Sequence, residues 1–424
     1  MALISRQTLK SSIALLMAAS CLAVQSLGQP RTVSLEEAIQ AAVKQNAGLK
    51  SVTSDIQVQE QMKRTSVDLP KTQAMLMYGQ YNSLNNDNNI TITQGLPFPT
   101  VFTSQSKLHE LRIENSHFRK ATTLNELVFQ VKQVGQMLYY LSAREALLKK
   151  QDSLFADLVR ITTVQLATGE GTLLQKTSAE TRYNEVQNQY RQNTADQLTY
   201  RAQLKVLINA ADEVSLAPAK FLPLTTTLMN DSTEVAANPQ LAYQRSLLKI
   251  AQQEKRVESN RALPDLTVGY FNQTLMGFQQ QLDGTDRYFS SKDRFSGFMV
   301  GVALPLWFIP AHARVKAAAA RAESTQWLTQ YVEQQLVGEW KKAVQQFQKH
   351  RNSLDYYTRS ALPNAELLLR QSTVAYRAGD ISQAEYRLNV QQAISIQEAY
   401  IQTVLQYNQS IITLEFLSGQ YAKN

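Results

Sequence analysis

Tyr376-Arg377-Ala378-Gly379-Asp380-Ile381-Ser382 breaks a helical pattern that otherwise fills residues 311–418. A similar break stands earlier in the chain, at Leu166-Ala167-Thr168-Gly169-Glu170. One constant offset carries the residues after the first break onto those after the second. Gly169 falls on Gly379, Gln187 on Gln397, Tyr190 on Tyr400, Leu204 on Leu414 and Leu207 on Leu417. The register holds ungapped for about ten helical turns, longer than chance supplies. The chain therefore reads as two copies of one unit, each ending in a long helical hairpin.

Working back from the first break, residues 101–165 contain no proline, and only Gly135 interrupts their helical pattern. At about 1.5 Å per residue this predicts a rod on the order of 95 Å long. Two strand-like runs precede it, residues 72–81 and 89–94, on either side of a polar loop. Leu96-Pro97-Phe98-Pro99 ends that sheet, because proline has no N–H for a ladder. Earlier still, Ser34 and Glu37 form a capping box. Leu35, Ala38, Ile39, Ala42 and Val43 then repeat at helical spacing, Asn46-Ala47-Gly48-Leu49 interrupts, and Leu69-Pro70 stops the helix.

The second copy follows the same plan. Asn238-Pro239-Gln240-Leu241 stands where Asn46-Ala47-Gly48-Leu49 stood, and Leu263-Pro264 where Leu69-Pro70 stood. Strands are expected at 266–273 and 295–304, with a polar loop carrying Gly277 and Gly284 between them, and Leu304-Pro305-Leu306-Trp307 closes the sheet. The fold class is thus mainly α with a small β part, as two tandem repeats of helix, strand, strand, long helix, helix. The repeats occupy 29–208 and 238–418, joined by a connector at 209–237 with Pro218, Pro223 and Asn230-Asp231, and followed by a tail at 419–424.

The first 28 residues read as a signal peptide. Arg6 and Lys10 form a basic start, residues 13–24 an apolar run too short to span a bilayer comfortably, and Ser26-Leu27-Gly28 a small-residue cleavage site. The only cysteine, Cys21, follows Ala18-Ala19-Ser20, a loose lipoprotein box; Ala in place of Leu upstream favours simple cleavage. Removing Arg6 and Lys10 takes the formal charge from +8 to +6. No Lys/Arg cluster is interleaved with aromatics, so a nucleic-acid partner is not expected. At 44% hydrophobic and 18% charged, with Gln, Asn, Ser and Thr along its helices, the chain is not a disordered one.

The strands alternate as a lipid-facing wall requires. Ile90 and Ile92 alternate with Thr91 and Thr93; Leu266, Val268 and Tyr270 with Thr267, Gly269 and Phe271; Phe298, Val300, Val302 and Leu304 with Gly297, Met299, Gly301 and Ala303. Four strands cannot close a membrane barrel alone, since the small ones start at about eight, and an isolated sheet would leave hazardous edges. Three chains would supply twelve. A soluble sheet packed on its own helices is the plainer alternative. Trp307 and Phe308 sit where interfacial anchors would.

Catalytic motifs are absent: no phosphate-binding Gly-x-x-x-x-Gly-Lys loop, no Gly-x-Ser-x-Gly elbow and no His-Glu-x-x-His helix occurs. Of the four histidines, His109, His117, His312 and His350, the first two lie about two turns apart, too far to share a metal. Met75, Met77 and Met299 carry thioethers that suit copper(I), though methionine more often fills gaps. No enzyme activity, cofactor or resident metal is expected.

Four features together resemble the outer-membrane efflux protein family, the TolC type. They are the Ser34-Leu35-Glu36-Glu37-Ala38 opening, the paired Leu-Pro stops, Ala303-Leu304-Pro305-Leu306 before a long helix, and Ala378-Gly379-Asp380 at the late break. The resemblance covers essentially all of the chain after the leader. Around Ala375–Ser382 and at Tyr407-Asn408-Gln409 it is nearest to the heavy-metal branch, similar to the CzcC and CusC components. It implies a homotrimer with a twelve-strand transmembrane β-barrel, four strands per chain, set on an α-helical barrel that crosses the periplasm. The partners implied are outer-membrane lipid, a periplasmic adaptor and an inner-membrane resistance-nodulation-division (RND) pump, and the location is the outer membrane of a Gram-negative bacterium. The hairpin breaks, Thr168, Gly169, Glu170 and Gly171 with Ala378, Gly379, Asp380, Ile381 and Ser382, would be the adaptor-docking tip. Glu385, with Asp380 as rival, would be the acidic constriction, although a Glu one turn into a helix also serves as an N-terminal charge. The resulting function is a passive exit channel of a tripartite efflux system, with heavy-metal cations a candidate cargo. A type I protein-secretion conduit and an exported coiled-coil scaffold without a pore are the alternatives.

Overall fold

The computed structural model describes residues 31–225 and 232–422; the expected leader with Cys21, and Asn230-Asp231 of the connector, lie outside the described residues. The chain is mostly helical with a small β part. Helices α1 (Leu35–Gln45) and α2 (Ala47–Lys63) lead into strands β2 (Gln73–Gly79) and β3 (Asp87–Leu96), after a short β1 (Arg31–Val33). Helix α3 (Pro99–Ala167) and helix α4 (Leu173–Leu207) complete the first half. The second half holds β4 (Val214–Leu216), α5 (Pro239–Arg261), β5 (Asp265–Gln273), β6 (Gly277–Gln280), β7 (Asp286–Phe289) and β8 (Phe295–Ala303). It ends with α6 (Phe308–Tyr356), α7 (Leu362–Ala378) and α8 (Gln383–Leu417).

These elements form two compact units. Of the described residues, one unit contains Arg31–Ala47, the stretch from Glu126 through β4, and Ala343–Leu414. The other contains Gly48–Asn125, the segment from α5 to Lys342, and Glu415–Ala422. All four long strands belong to the second unit and both hairpin breaks to the first.

The two breaks share a pattern of hydrogen bonds. α4 and α8 each have 35 residues, and the same offset that aligns Gly169 with Gly379 aligns both ends. At each break the glycine is left-handed, φ +79° at Gly169 and +82° at Gly379. The N–H beyond it reaches back to close a Schellman turn: Glu170 N to Gln165 O at 2.9 Å, and Asp380 N to Ala375 O at 2.9 Å. A hydroxyl then caps the next helix. Thr172 Oγ1 accepts from Gln175 N at 3.2 Å and Ser382 Oγ from Glu385 N at 3.2 Å. The far ends of these helices match too. Asn46 Nδ2 donates to Leu207 O at 3.0 Å, and Asn238 Nδ2 to Leu417 O at 2.9 Å. The two Asn-led motifs therefore hold the same carbonyl in each copy.

Several local features depart from the sequence pattern. The long helix before the second break is not continuous: a π turn, Tyr357–Ala361, separates α6 from α7. Pro363 accounts for it, because proline has no N–H to give and its ring crowds the preceding turn. Gly135, in contrast, does not interrupt α3. A Cβ there would lie 2.4 Å from Leu35 Cδ1, so the glycine makes room for the first turn of α1. The polar loop between β5 and β8 contains the β6–β7 hairpin, and the connector contributes β4, which pairs in parallel with β1.

The connector is also pinned to α8. Asn408, fully buried, donates through Nδ2 to Gln136 Oε1 at 2.9 Å and to Leu222 O at 3.0 Å, and its Oδ1 accepts from Leu224 N at 2.8 Å. Asn408→Ala should leave these groups without partners and cost about 2–4 kcal/mol. The expected readouts are a lower denaturation midpoint and faster proteolysis between residues 209 and 237; an unchanged midpoint and cleavage rate would refute the clamp.

Candidate functional site

The four long strands form one antiparallel sheet in the order β2-β3-β5-β8. Its register decides which side chains share a face, since residues directly opposite on neighbouring strands point the same way. Val268 faces Val300, Tyr270 faces both Phe298 and Ile92, and Leu266 faces Val302. On the far side Ile90 faces Leu76 and Asn272. Ile90, Ile92, Leu266, Val268, Tyr270, Phe298, Val300 and Val302 thus lie on a single face; Leu304 follows just beyond β8 and is exposed. Phe298 and Val300 are 86% and 82% exposed.

Register adds two residues to this face that alternation could not identify. Leu76 and Tyr78, opposite Ile90 and Asn88, are 70% and 72% exposed. β2 is apolar on both sides, with Met75 and Met77 on the other, so period two gives no signal there. Only the pairing sorts its faces.

The opposite face is small and polar at Thr91 and Thr93 on β3, Thr267 and Gly269 on β5, and Gly297 and Gly301 on β8, and it also carries Met75, Met77, Phe271 and Met299. Phe271 lies against Gly297, where a Cβ would come within 2.8 Å of its ring. Met75 and Met299 are on the two edge strands, three strand spacings apart, about 14 Å. Among the described residues no three His, Cys, Asp or Glu side chains are grouped to hold a metal ion. At the sheet's loop end, Asp87 is buried and accepts from Ser83 Oγ at 2.7 Å, Thr274 Oγ1 at 3.0 Å and Met276 N at 2.8 Å. Arg294 bridges Asn272 and Asn88, so two loops are tied to three strands.

The hairpin breaks form the second site. Leu148, Phe155 and Leu158 of α3, Ala179 and Val186 of α4, and Tyr386, Val390 and Ile394 of α8 share a core. Tyr376 of α7 stacks on Tyr386 with centroids 4.6 Å apart and planes 7° off parallel. Arg387 joins Ser178 between α8 and α4. The end of α3 and the second break border a groove of about 500 Å³, which includes Gln165, Tyr376, Gly379 and Ile381. The structure therefore brings both breaks to one end of four packed helices. Thr168, Gly169, Glu170, Ala378, Gly379, Asp380 and Ser382 are exposed there, and Gly171 and Ile381 half-buried. Glu385 is exposed too, with its N–H held by the Ser382 hydroxyl in the first turn of α8.

A chain with such a sheet and with helices of up to 69 residues has counterparts among solved structures. The outer-membrane channel OprN superposes with a TM-score of 0.75 at 14% identity, over 91% of this chain and 89% of that one. CusC, solved in work on its folding and transmembrane channel formation, gives 0.74 at 13% identity, over 93% and 95%. The open state of the MtrE outer-membrane channel of Neisseria gonorrhoeae gives 0.72 at 16% identity, over 93% of both. The chain has the fold of these channels. No protein-family model matches it, and no curated protein sequence does. The likeness is nearly the same for OprN and CusC, so it does not separate a heavy-metal branch from the others. Among the described residues no helix is long and apolar enough to cross a membrane.

Proposed function

We propose that this protein is the outer-membrane exit channel of a tripartite efflux system, a member of the TolC type that conducts passively and performs no chemistry. The carrying observation is the sheet: one face is aliphatic and aromatic except for Gln94, opposite Val268, and the polar Asn88, Asn272 and Ser296 at the loop end, and each edge strand, β2 and β8, is paired on one side only among the described residues. Exposed edges of this kind invite pairing. Each strand runs antiparallel to its neighbour, so β2 and β8 also run opposite to one another. Joining β8 of one copy to β2 of the next keeps the pattern antiparallel, and repeating the join closes a ring. Three copies give about twelve strands, inside the range of membrane barrels. The aliphatic face then meets lipid, and the Gly- and Thr-rich face lines the lumen.

The remaining assignments follow from that assembly. Trp307 and Phe308, both exposed beyond β8, anchor at the lipid–water interface. The two breaks, Thr168–Gly171 and Ala378–Ser382, form the periplasmic tip on which an adaptor docks, and an inner-membrane RND pump supplies the energy. Heavy-metal cations are the cargo favoured by the Ala375–Ser382 resemblance.

Glu385 is the constriction in this reading, with Asp380 as its rival. Three symmetry copies would bring like charges together at the tip, favouring cations over anions. Glu385→Gln should therefore lower cation-over-anion selectivity of single channels in a planar bilayer by severalfold, more at low salt than at high. Equal selectivity at both salt concentrations would assign Glu385 to helix capping alone. Absence of any conductance from the wild-type protein would overturn the channel itself.

A further inference from the structure

In the second unit α3, α5 and α6 line a half-open cavity of about 490 Å³. Each helix gives it a stripe of charged or titratable residues. α3 supplies His109 and Arg112, α5 supplies Glu254, Glu258 and Arg261, and α6 supplies Arg314 and Arg321. Spacings of three, four and seven residues put each set on one helix side.

The charges do not balance. Arg112 Nη2 is 3.0 Å from Glu254 Oε1, and Arg261 Nη1 is 2.9 Å from Glu258 Oε1. The same two carboxylates face Arg321 at 3.9 Å and Arg314 at 3.7 Å. Four guanidiniums share two carboxylates, and the longer contacts belong to the two arginines whose side chains are most exposed. At the wall of the cavity stands His109, 8% exposed, whose Nδ1 has no hydrogen-bond partner among the described residues. Burial, helped by Arg112, holds its imidazole below the usual range, so it is a neutral group with one N–H to give. A surface ion-pair network that served only itself would need neither the cationic surplus nor a buried nitrogen left open.

From this arrangement we infer that the cavity binds a phosphate group, as a free phosphate or a phosphoester. Arg314 and Arg321 turn onto its oxygens in the paired geometry that guanidinium offers phosphate. Arg112 and Arg261 stay on their glutamates and fix the walls, which the buried His109 completes. Of the two ligands, Arg314 lies about 9 Å and Arg321 about 20 Å from the start of α6, the end that leads to the sheet. A phospholipid headgroup would reach the Arg314 end, and a soluble phosphate either. The lipid source rests on the channel reading; the phosphate chemistry does not.

The test is calorimetric titration of the full chain in non-ionic detergent at fixed ionic strength, first with inorganic phosphate and then with short-chain phosphatidylglycerol. Saturable phosphate binding is expected, weakened about tenfold or more in the Arg314→Gln/Arg321→Gln double variant. Those side chains are exposed, so an unchanged melting curve will show that the variant folds. His109→Phe should weaken binding by a smaller factor. Tighter binding of phosphatidylglycerol than of phosphate assigns the site to lipid; equal or weaker binding assigns it to soluble phosphate. Saturable phosphate binding by a chain that proves not to form a channel would leave this site standing and remove only its lipid source. No saturable binding of either probe, or equal binding by the double variant, overturns the site.

Discussion

Val300→Arg is expected to abolish assembly in the outer membrane. Val300 sits at the middle of β8, opposite Val268, and is 82% exposed on the aliphatic face. An arginine at the bilayer midplane of a barrel costs about 2–4 kcal/mol, and a symmetric trimer incurs that cost in each copy. Trimer and membrane fraction should both be lost while the helical signal by circular dichroism persists. Thr267→Arg is the control. It lies on the opposite face, paired with Gly95 and Gly301, where the lumen would hydrate it. It should assemble normally and change conductance. Normal assembly of Val300→Arg, or equal failure of both variants, would refute the assignment of faces.

Gly419→Ala carries an expected loss of stability, outside the sheet, on the same scale as that of Asn408→Ala. Gly419 has φ +70°, and a Cβ there would lie 2.6 Å from Pro239 Cδ and 2.9 Å from Ala237 O. These are ring and backbone atoms that cannot rotate aside. The neighbouring Asn238 clamps Leu417 O, so a shift of the turn would also strain that buried hydrogen bond. Backbone strain and overpacking together should cost about 3 kcal/mol. The equivalent position in the first copy holds Asn209, left-handed at φ +50°, and its side chain reaches Gln45 O at 3.3 Å. Asparagine tolerates that conformation where alanine does not. A denaturation midpoint for Gly419→Ala within experimental error of wild type would show that the turn relaxes freely.

How much of this was readable beforehand depends on the range of the interaction. The breaks were legible because a left-handed glycine and a hydroxyl cap are local requirements, met within a few residues. The repeat was legible because α4 and α8 keep one offset over their whole length. The faces of β5 and β8 were legible from alternation, since Val268 and Val300 stand among Gly and Thr. β2 was not, because Met75 and Met77 are as apolar as Leu76 and Tyr78; hydrogen bonding to β3 was needed to sort them. Pairing of β1 with β4 was hidden by its sequence separation, and the β6–β7 hairpin by Gln and charged residues that give no alternation. Pro363 was present in the sequence, but a helical pattern continued on both sides of it, and the π turn that accommodates it has no periodic signal. The basic cavity was the least legible of all. Its arginines look like scattered positive charge until three helices bring them together.

The central claim is that this chain is one third of a membrane tube. Its most direct test is the native mass of the particle released by detergent from the outer-membrane fraction. Three chains per particle, insoluble without detergent, is the result this account predicts. A single chain that remains dispersed in water alone would contradict it.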